Sequence, residues 1–182
     1  MGKKGFTAVG LSEILSEANV PKGSFYYYFQ SKDAFGEALL ETYFATYLQE
    51  INATLIENER PVAERLMAYW NNWLETQAGT APEYYCLVVK LGAEVSDLSE
   101  AMRLILDQGT RQVIERIAMC IDLGVADGSL PKNLHSHETA EMLYQLWLGA
   151  TLLAKTAHNR RPLESAMTVT RKILKLNDPS PS

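Results

Sequence analysis

Residues 18–35 read Ala18-Asn19-Val20-Pro21-Lys22-Gly23-Ser24-Phe25-Tyr26-Tyr27-Tyr28-Phe29-Gln30-Ser31-Lys32-Asp33-Ala34-Phe35, and three helical patterns meet in them. Upstream, Leu11, Ile14, Leu15 and Ala18 form an apolar stripe at helical spacing. Asn19-Val20-Pro21 breaks it, because proline offers no N–H and holds the residue before it extended. Phe25, Tyr28 and Phe29 form a second, very short stripe. Ser31 is suited to N-cap a third helix reaching to about residue 57, with Phe35, Leu39, Tyr43 and Tyr47 as its stripe.

Two short helices joined by a tight turn have helix-turn-helix spacing, in which the first helix packs and the second turns its polar face to the major groove. With Phe25 and Phe29 inward, Lys22, Gly23, Ser24, Tyr26 and Tyr27 are left toward solvent or DNA. Gly23 is unusual in a helix unless something must approach closely. Lys32 falls in the first turn of its helix, where backbone N–H groups also attract a phosphate. Tyrosine hydroxyls can donate to phosphate oxygens, and a ring can pack on a thymine methyl. Spacing alone fits a small aromatic core in an unrelated helical protein equally well.

Farther along, almost every segment has helical periodicity, which predicts an all-α chain. Pro61 opens a helix ending near residue 77, and a short helix follows over about 83–94. Asp97 with Glu100 forms a D-x-x-E capping box for a helix reaching about residue 125. Ser136 caps the next helix, 138–157, and Pro162 opens the last. The 138–157 segment carries Ala140, Leu143, Leu146, Leu148, Ala150 and Leu152, apolar on more than one face, so it must be buried on two sides. Together with the last helix it is expected to form a homodimer through Leu143, Leu146, Gly149, Ala150, Leu163, Met167 and Thr170. Gly149 and Ala150 would let a partner helix approach closely.

The charge pattern agrees with a protein that touches phosphates at one end. Residues 1–32 carry Lys3, Lys4, Lys22 and Lys32 against Glu13 and Glu17, whereas the rest carries 13 basic and 20 acidic side chains. Cys86 and Cys120 do not make a disulfide framework and read as thiols in a reducing compartment, so a cytoplasmic protein is expected. No apolar run approaches a membrane span, and residues 1–7 lack the apolar core of a signal peptide. His135 and His137 make an H-x-H with no third ligand in view, so no metal or other cofactor is expected. With no phosphate loop and no nucleophile–base motif, an enzyme is not expected; a helical interaction protein is the alternative from a different class.

The run from Gly5-Phe6 through Lys22-Gly23-Ser24-Phe25-Tyr26-Tyr27-Tyr28-Phe29-Gln30-Ser31-Lys32 to Phe35 resembles the DNA-binding module of the TetR family of one-component repressors. The resemblance implies a helix-turn-helix head, 1–45, on a helical body for effector binding and dimerisation, 46–176, with a disordered tail, 177–182. It implies double-stranded operator DNA, palindromic and bound by a dimer, and release by a small-molecule effector. Lys22, Gly23, Ser24 and Tyr27 lie where family members touch bases or the adjacent backbone; Tyr26, Tyr28 and Lys32 lie where phosphates are gripped. Gly10 stands where a serine or threonine often opens the first of these helices. The family's bracing helix before Gly5 has only Met1-Gly2-Lys3-Lys4 in its place, so a poorly stabilised head is expected.

The body is similar to that of the NemR-type repressors, which respond to electrophiles and oxidants, on the strength of residues 86–103 and 143–156. In that type a sensor cysteine matches Ser96, with a lysine at Lys155. Serine is too weak a nucleophile at neutral pH to replace a thiolate. That leaves Cys86, near a helix start with Lys90 four residues on, as either an activated thiol or an inert buried one. A non-covalent hydrophobic ligand is the other option. Tyr69, Trp70, Trp73, Tyr84, Tyr85, Tyr144 and Trp147 would then line a cavity, or else simply fill the core.

Overall fold

The computed structural model describes residues 5–79 and 86–176. These residues form eight α-helices: α1 Leu11–Glu17, α2 Lys22–Tyr28, α3 Lys32–Ile51, α4 Val62–Ala78, α5 Leu87–Leu98, α6 Glu100–Asp127, α7 Ser136–Ala157 and α8 Arg161–Leu174. Tyr84, Tyr85 and the tail from residue 177 lie outside the described residues.

The head is built as its turn chemistry dictates. Gly10 caps α1 with no side-chain hydrogen bond. Asn19 takes φ 52°, the left-handed conformation that asparagine tolerates and that closes a helix by 6→1 and 5→2 bonds. Accordingly Val20 N–H donates to Leu15 O and Asn19 N–H to Ser16 O. Pro21 then caps α2, and Ser31 caps α3 by accepting from Ala34 N–H at 3.0 Å. Phe25, Phe29 and Phe35 form an aromatic triangle with ring centroids 5.2 to 5.7 Å apart.

α3 ties the head to the body, and its inner face differs by one position from the sequence expectation. The buried residues are Gly36, Leu40, Phe44 and Ile51, while Phe35, Leu39, Tyr43 and Tyr47 are half-buried. Two apolar faces run side by side here, and Gly36 hides the inner one from a hydrophobicity count. Phe6 and Val9, in the turn before α1, are 3% and 4% exposed. The Phe6 ring and the Met102 sulfur crowd Gly36 so closely that a Cβ there would lie 2.8 Å from each. This segment therefore packs the head onto α3 and α6. After α3 a π-helical turn, Asn52–Ile56, continues the helical run. Arg65 donates to Leu55 O and Arg116 to Asn52 Oδ1 there.

α6 is the central helix, lying against α3, α5 and α7, and α7 lies against α8. It starts at Glu100 with Ser99 as N-cap, accepting from Met102 N–H, so the expected Asp97 box does not form. Leu91 and Val95 are buried and carry α5 on to Leu98, which keeps Asp97 inside a helix. Gly109 in α6 faces Phe44 of α3, whose ring would overlap any Cβ at that site. Gly109→Ala gains about 1 kcal/mol of helix propensity but overpacks the α3–α6 contact, which costs roughly 1–3 kcal/mol. Because Phe44 is itself 5% exposed and has little room to retreat, the loss wins. A melting temperature lower by up to roughly 8 °C is expected in calorimetry; an unchanged or raised value would show that the ring steps aside.

Candidate functional site

Two sites follow from this architecture. The first is the outer face of α2. Lys22, Gly23 and Ser24 are exposed, and Tyr26, Tyr27 and Tyr28 are 50%, 82% and 74% exposed, while Phe25 is 5% exposed. Three tyrosines held in water by a two-turn helix have no folding reason to be there, because Phe25 alone supplies its inward anchor. Lys22 Nζ lies 5.9 Å from the Tyr26 ring centroid, and Tyr27 and Tyr28 meet edge to face. A Cβ on Gly23 would meet nothing within 4 Å, so the space above it is free for a ligand. Lys32 behaves differently from the rest of the set. It is half-buried, its ammonium donates to Phe6 O, and it sits 4.5 Å from the Phe6 ring centroid. It braces the head from within.

The second site is a cleft of about 970 Å³ between α3, α4 and the start of α5. Tyr43, Tyr47, Tyr69, Trp73, Gln77 and Cys86 are among the residues that line it. Tyr43 and Tyr47 stack with centroids 5.8 Å apart, and the Tyr47 and Tyr69 hydroxyls are 2.9 Å apart. Burial pushes the Tyr43, Tyr47 and Tyr69 phenols well above their ordinary range, so they stay neutral hydrogen-bonding groups.

The expected aromatic set divides. Trp73 lines the cleft, with its indole N–H donating to Thr151 Oγ1 at 2.9 Å. Trp70 and Trp147 stack on each other at 5.0 Å, both 0% exposed, and Tyr144 is 1% exposed behind Trp73. These three belong to the core. Trp147 is pinned by its N–H to Thr170 Oγ1 at 2.9 Å.

Cys86 is the N-cap of α5, and its own N–H donates to Gln77 Oε1. Burial raises its thiol, against the pull of the Val89 and Val88 N–H groups and the Tyr43 hydroxyl. The neutral thiol is therefore its resting form. Lys90 is half-buried, and burial, then the Lys155 charge, lowers its ammonium. Lys155 is exposed on α7, and Ser96 Oγ donates to Gly92 O at 2.6 Å. Cys120 is 0% exposed, its thiol raised by burial to about 11.

The residues expected at a dimer interface also divide. Leu143, Leu163 and Thr170 are 0% exposed, and Ala150 and Met167 are 6% and 8% exposed in the single chain. Their surfaces are already used between α7, α8 and the body. Leu146 is half-buried and Gly149 exposed, on the outer side of α7. Among the described residues no three His, Cys, Asp or Glu side chains form a metal-holding group, and no helix is long and apolar enough to cross a membrane.

A family model for bacterial regulatory proteins of the tetR family matches residues 1–39, and one for the tetracyclin repressor-like C-terminal domain matches residues 62–170. The chain belongs to the TetR family. It is a DNA-binding transcription regulator, with the reading head at its N-terminus. It is 43% identical to the HTH-type transcriptional repressor NemR of Escherichia coli K12 over 94% of this chain and 86% of that protein. To the repressor DhaR of Mycobacterium sp. GP1 it is 34% identical, over 92% and 82%. The crystal structure of reduced E. coli NemR superimposes with a TM-score of 0.87 at 42% identity, covering 97% of this chain and 90% of that one. TetR-family regulators act as dimers on operator DNA and answer to small-molecule effectors, and this chain has the head and body that both tasks require.

Three features escaped sequence reasoning: the carboxylate of Glu94, the seat of Phe44 on Gly109, and the convergence of Tyr43 and Tyr47 on Tyr69. A glycine inside the otherwise regular α6 was the one signal available for the second.

Proposed function

We propose that this TetR-family chain is a cytoplasmic repressor that lets go of its palindromic operator when a small, largely apolar ligand enters the Tyr43–Tyr69–Trp73 cleft without forming a covalent bond. One observation carries the reading: the cleft is walled by α3, the helix that also carries the head. A ligand that wedges between α3 and α4 acts directly on the head's support, and it shifts the equilibrium by its preference for one body conformation. The repressor sense is supported by the likeness to NemR and DhaR, both repressors. Neutral buried phenols suit a ligand with hydrogen-bond acceptors on an aromatic or aliphatic frame. The raised thiol of Cys86 argues against electrophile capture as the resting mode of sensing, although its place on the cleft wall keeps that second reading in view.

The two readings separate in a thermal-shift screen of small aromatic and carbonyl compounds, followed by intact mass spectrometry. A compound at a hundred times its dissociation constant stabilises the fold by about 2.7 kcal/mol. The expected hit raises the melting temperature, releases operator, leaves the protein mass unchanged and still acts on Cys86→Ser. A mass adduct on Cys86, with release abolished in Cys86→Ser, would instead establish the covalent mode.

A further inference from the structure

We infer that Glu94, on α5 of the body, is the positioning residue that fixes the angle at which the DNA-reading head is held. Its carboxylate accepts from Phe6 N–H at 2.9 Å, from Thr7 N–H at 2.7 Å and from the Thr7 hydroxyl. These donors lie 87 and 88 residues away in the chain, in the segment that leads into α1. Gly5 makes room for the contact, since a Cβ there would collide with the carboxylate.

The segment that Glu94 grips leads straight to the reading helix. The Phe6 ring packs on Gly36, and the Phe6 carbonyl accepts from Lys32, the first residue of α3. Thr7 hydrogen bonds hold the Glu94 carboxyl below the usual carboxylate range, with the Lys32 charge adding to the effect, so the group stays an acceptor. A line of polar contacts thus runs from α5 through Phe6 to the junction of α2 and α3. α5 also begins at the cleft, and Glu94 lies roughly 10 Å along the helix from Leu87. The assignment goes beyond the proposed function: it needs a head that reads DNA, but no particular ligand.

A positioning role is distinguishable from a merely structural one through half-site spacing. Inserting one base pair between half-sites moves the second by roughly 3.4 Å and rotates it by about a tenth of a turn. A firmly held pair of heads discriminates strongly against that change; loosely held heads tolerate it. The experiment uses a duplex operator selected from random sequence by the wild-type protein, its variants with one central base pair added or removed, and the isolated half-site. In Glu94→Ala, affinity for the full operator is expected to fall about tenfold, while half-site affinity stays unchanged and the penalty for altered spacing shrinks. Glu94→Gln keeps one acceptor oxygen and should fall between wild type and Glu94→Ala. Gly5→Ala pushes the carboxylate aside without removing it, and should copy Glu94→Ala. A spacing penalty as large in Glu94→Ala as in wild type would overturn the assignment. So would equal losses on half-site and full operator, because Glu94 would then support the folding of the head and not its angle. Failure of the wild-type protein to enrich any duplex would overturn both this assignment and the operator reading.

Discussion

Tyr27→Ala is expected to weaken operator binding roughly thirtyfold or more while leaving the fold intact. Tyr27 is 82% exposed, so its loss removes almost no buried surface, and surface changes of that kind move stability by about 0.5 kcal/mol at most. On DNA the same ring, in the last turn of α2, is expected to reach a base edge or the adjoining backbone. A specific contact of this kind is worth about 1–3 kcal/mol. A two-fold dimer carries two copies, so the combined loss is about 2 kcal/mol at the least, which is roughly thirtyfold. Lys22→Ala separates charge from readout. If Lys22 meets a phosphate, its removal weakens binding to all sequences alike and flattens the dependence of log affinity on log salt by about one per head. Tyr27→Ala should instead relax preference at one position of each half-site and leave the salt slope unchanged. Quantitative mobility shifts over a salt series measure both. Wild-type affinity in a folded Tyr27→Ala dimer would remove α2 as the reading helix.

How far the sequence specified this depends on how local the information is. The head is locally encoded: Asn19 ends α1 in a left-handed turn, Pro21 starts α2, and Ser31 caps α3, each through its own side-chain chemistry. The inward aromatics Phe25 and Phe29 followed from their spacing of four. The body was harder because its helices have two apolar faces, and periodicity cannot say which faces its own chain. On α3 the core face begins with a glycine, and on α7 the sequence pattern does not separate the inner Leu143 and Ala150 from the outer Leu146 and Gly149. Asp97-x-x-Glu100 fits a capping box by pattern, whereas burial of Val95 extends α5 past Asp97 and α6 starts only at Glu100. Glu94 was not legible at all. Its partners are distant in sequence, and a lone glutamate on an amphipathic helix looks like solvated surface until the chain has folded back on it.

Leu153→Glu is expected to separate the dimer and, with it, to abolish tight operator binding. α7 is apolar on two sides. The inner side, Ala140, Leu143, Trp147, Ala150 and Ala154, is buried against its own chain. The outer side, Met142, Leu146, Gly149 and Leu153, repeats at four, three and four residues, with Met142 47% and Leu153 59% exposed. Val169 of α8 is 39% exposed. A Cβ on Gly149 would meet nothing within 4 Å in the single chain, which leaves room at mid-helix for close approach by a second backbone. Covering one leucine is worth about 1.5–3 kcal/mol, and two-fold symmetry doubles the loss while setting one carboxylate near its copy. The dimer dissociation constant should therefore rise by about a hundredfold or more, read as a monomer in analytical ultracentrifugation with helical content preserved. The contrasting substitution is Leu143→Ala, on the inner side, where a cavity costs about 2–5 kcal/mol of folding stability. It should lower the melting temperature strongly and leave the surviving folded protein dimeric. If Leu143→Ala gave folded monomers and Leu153→Glu stayed dimeric, the partner would have to dock elsewhere than on this outer stripe.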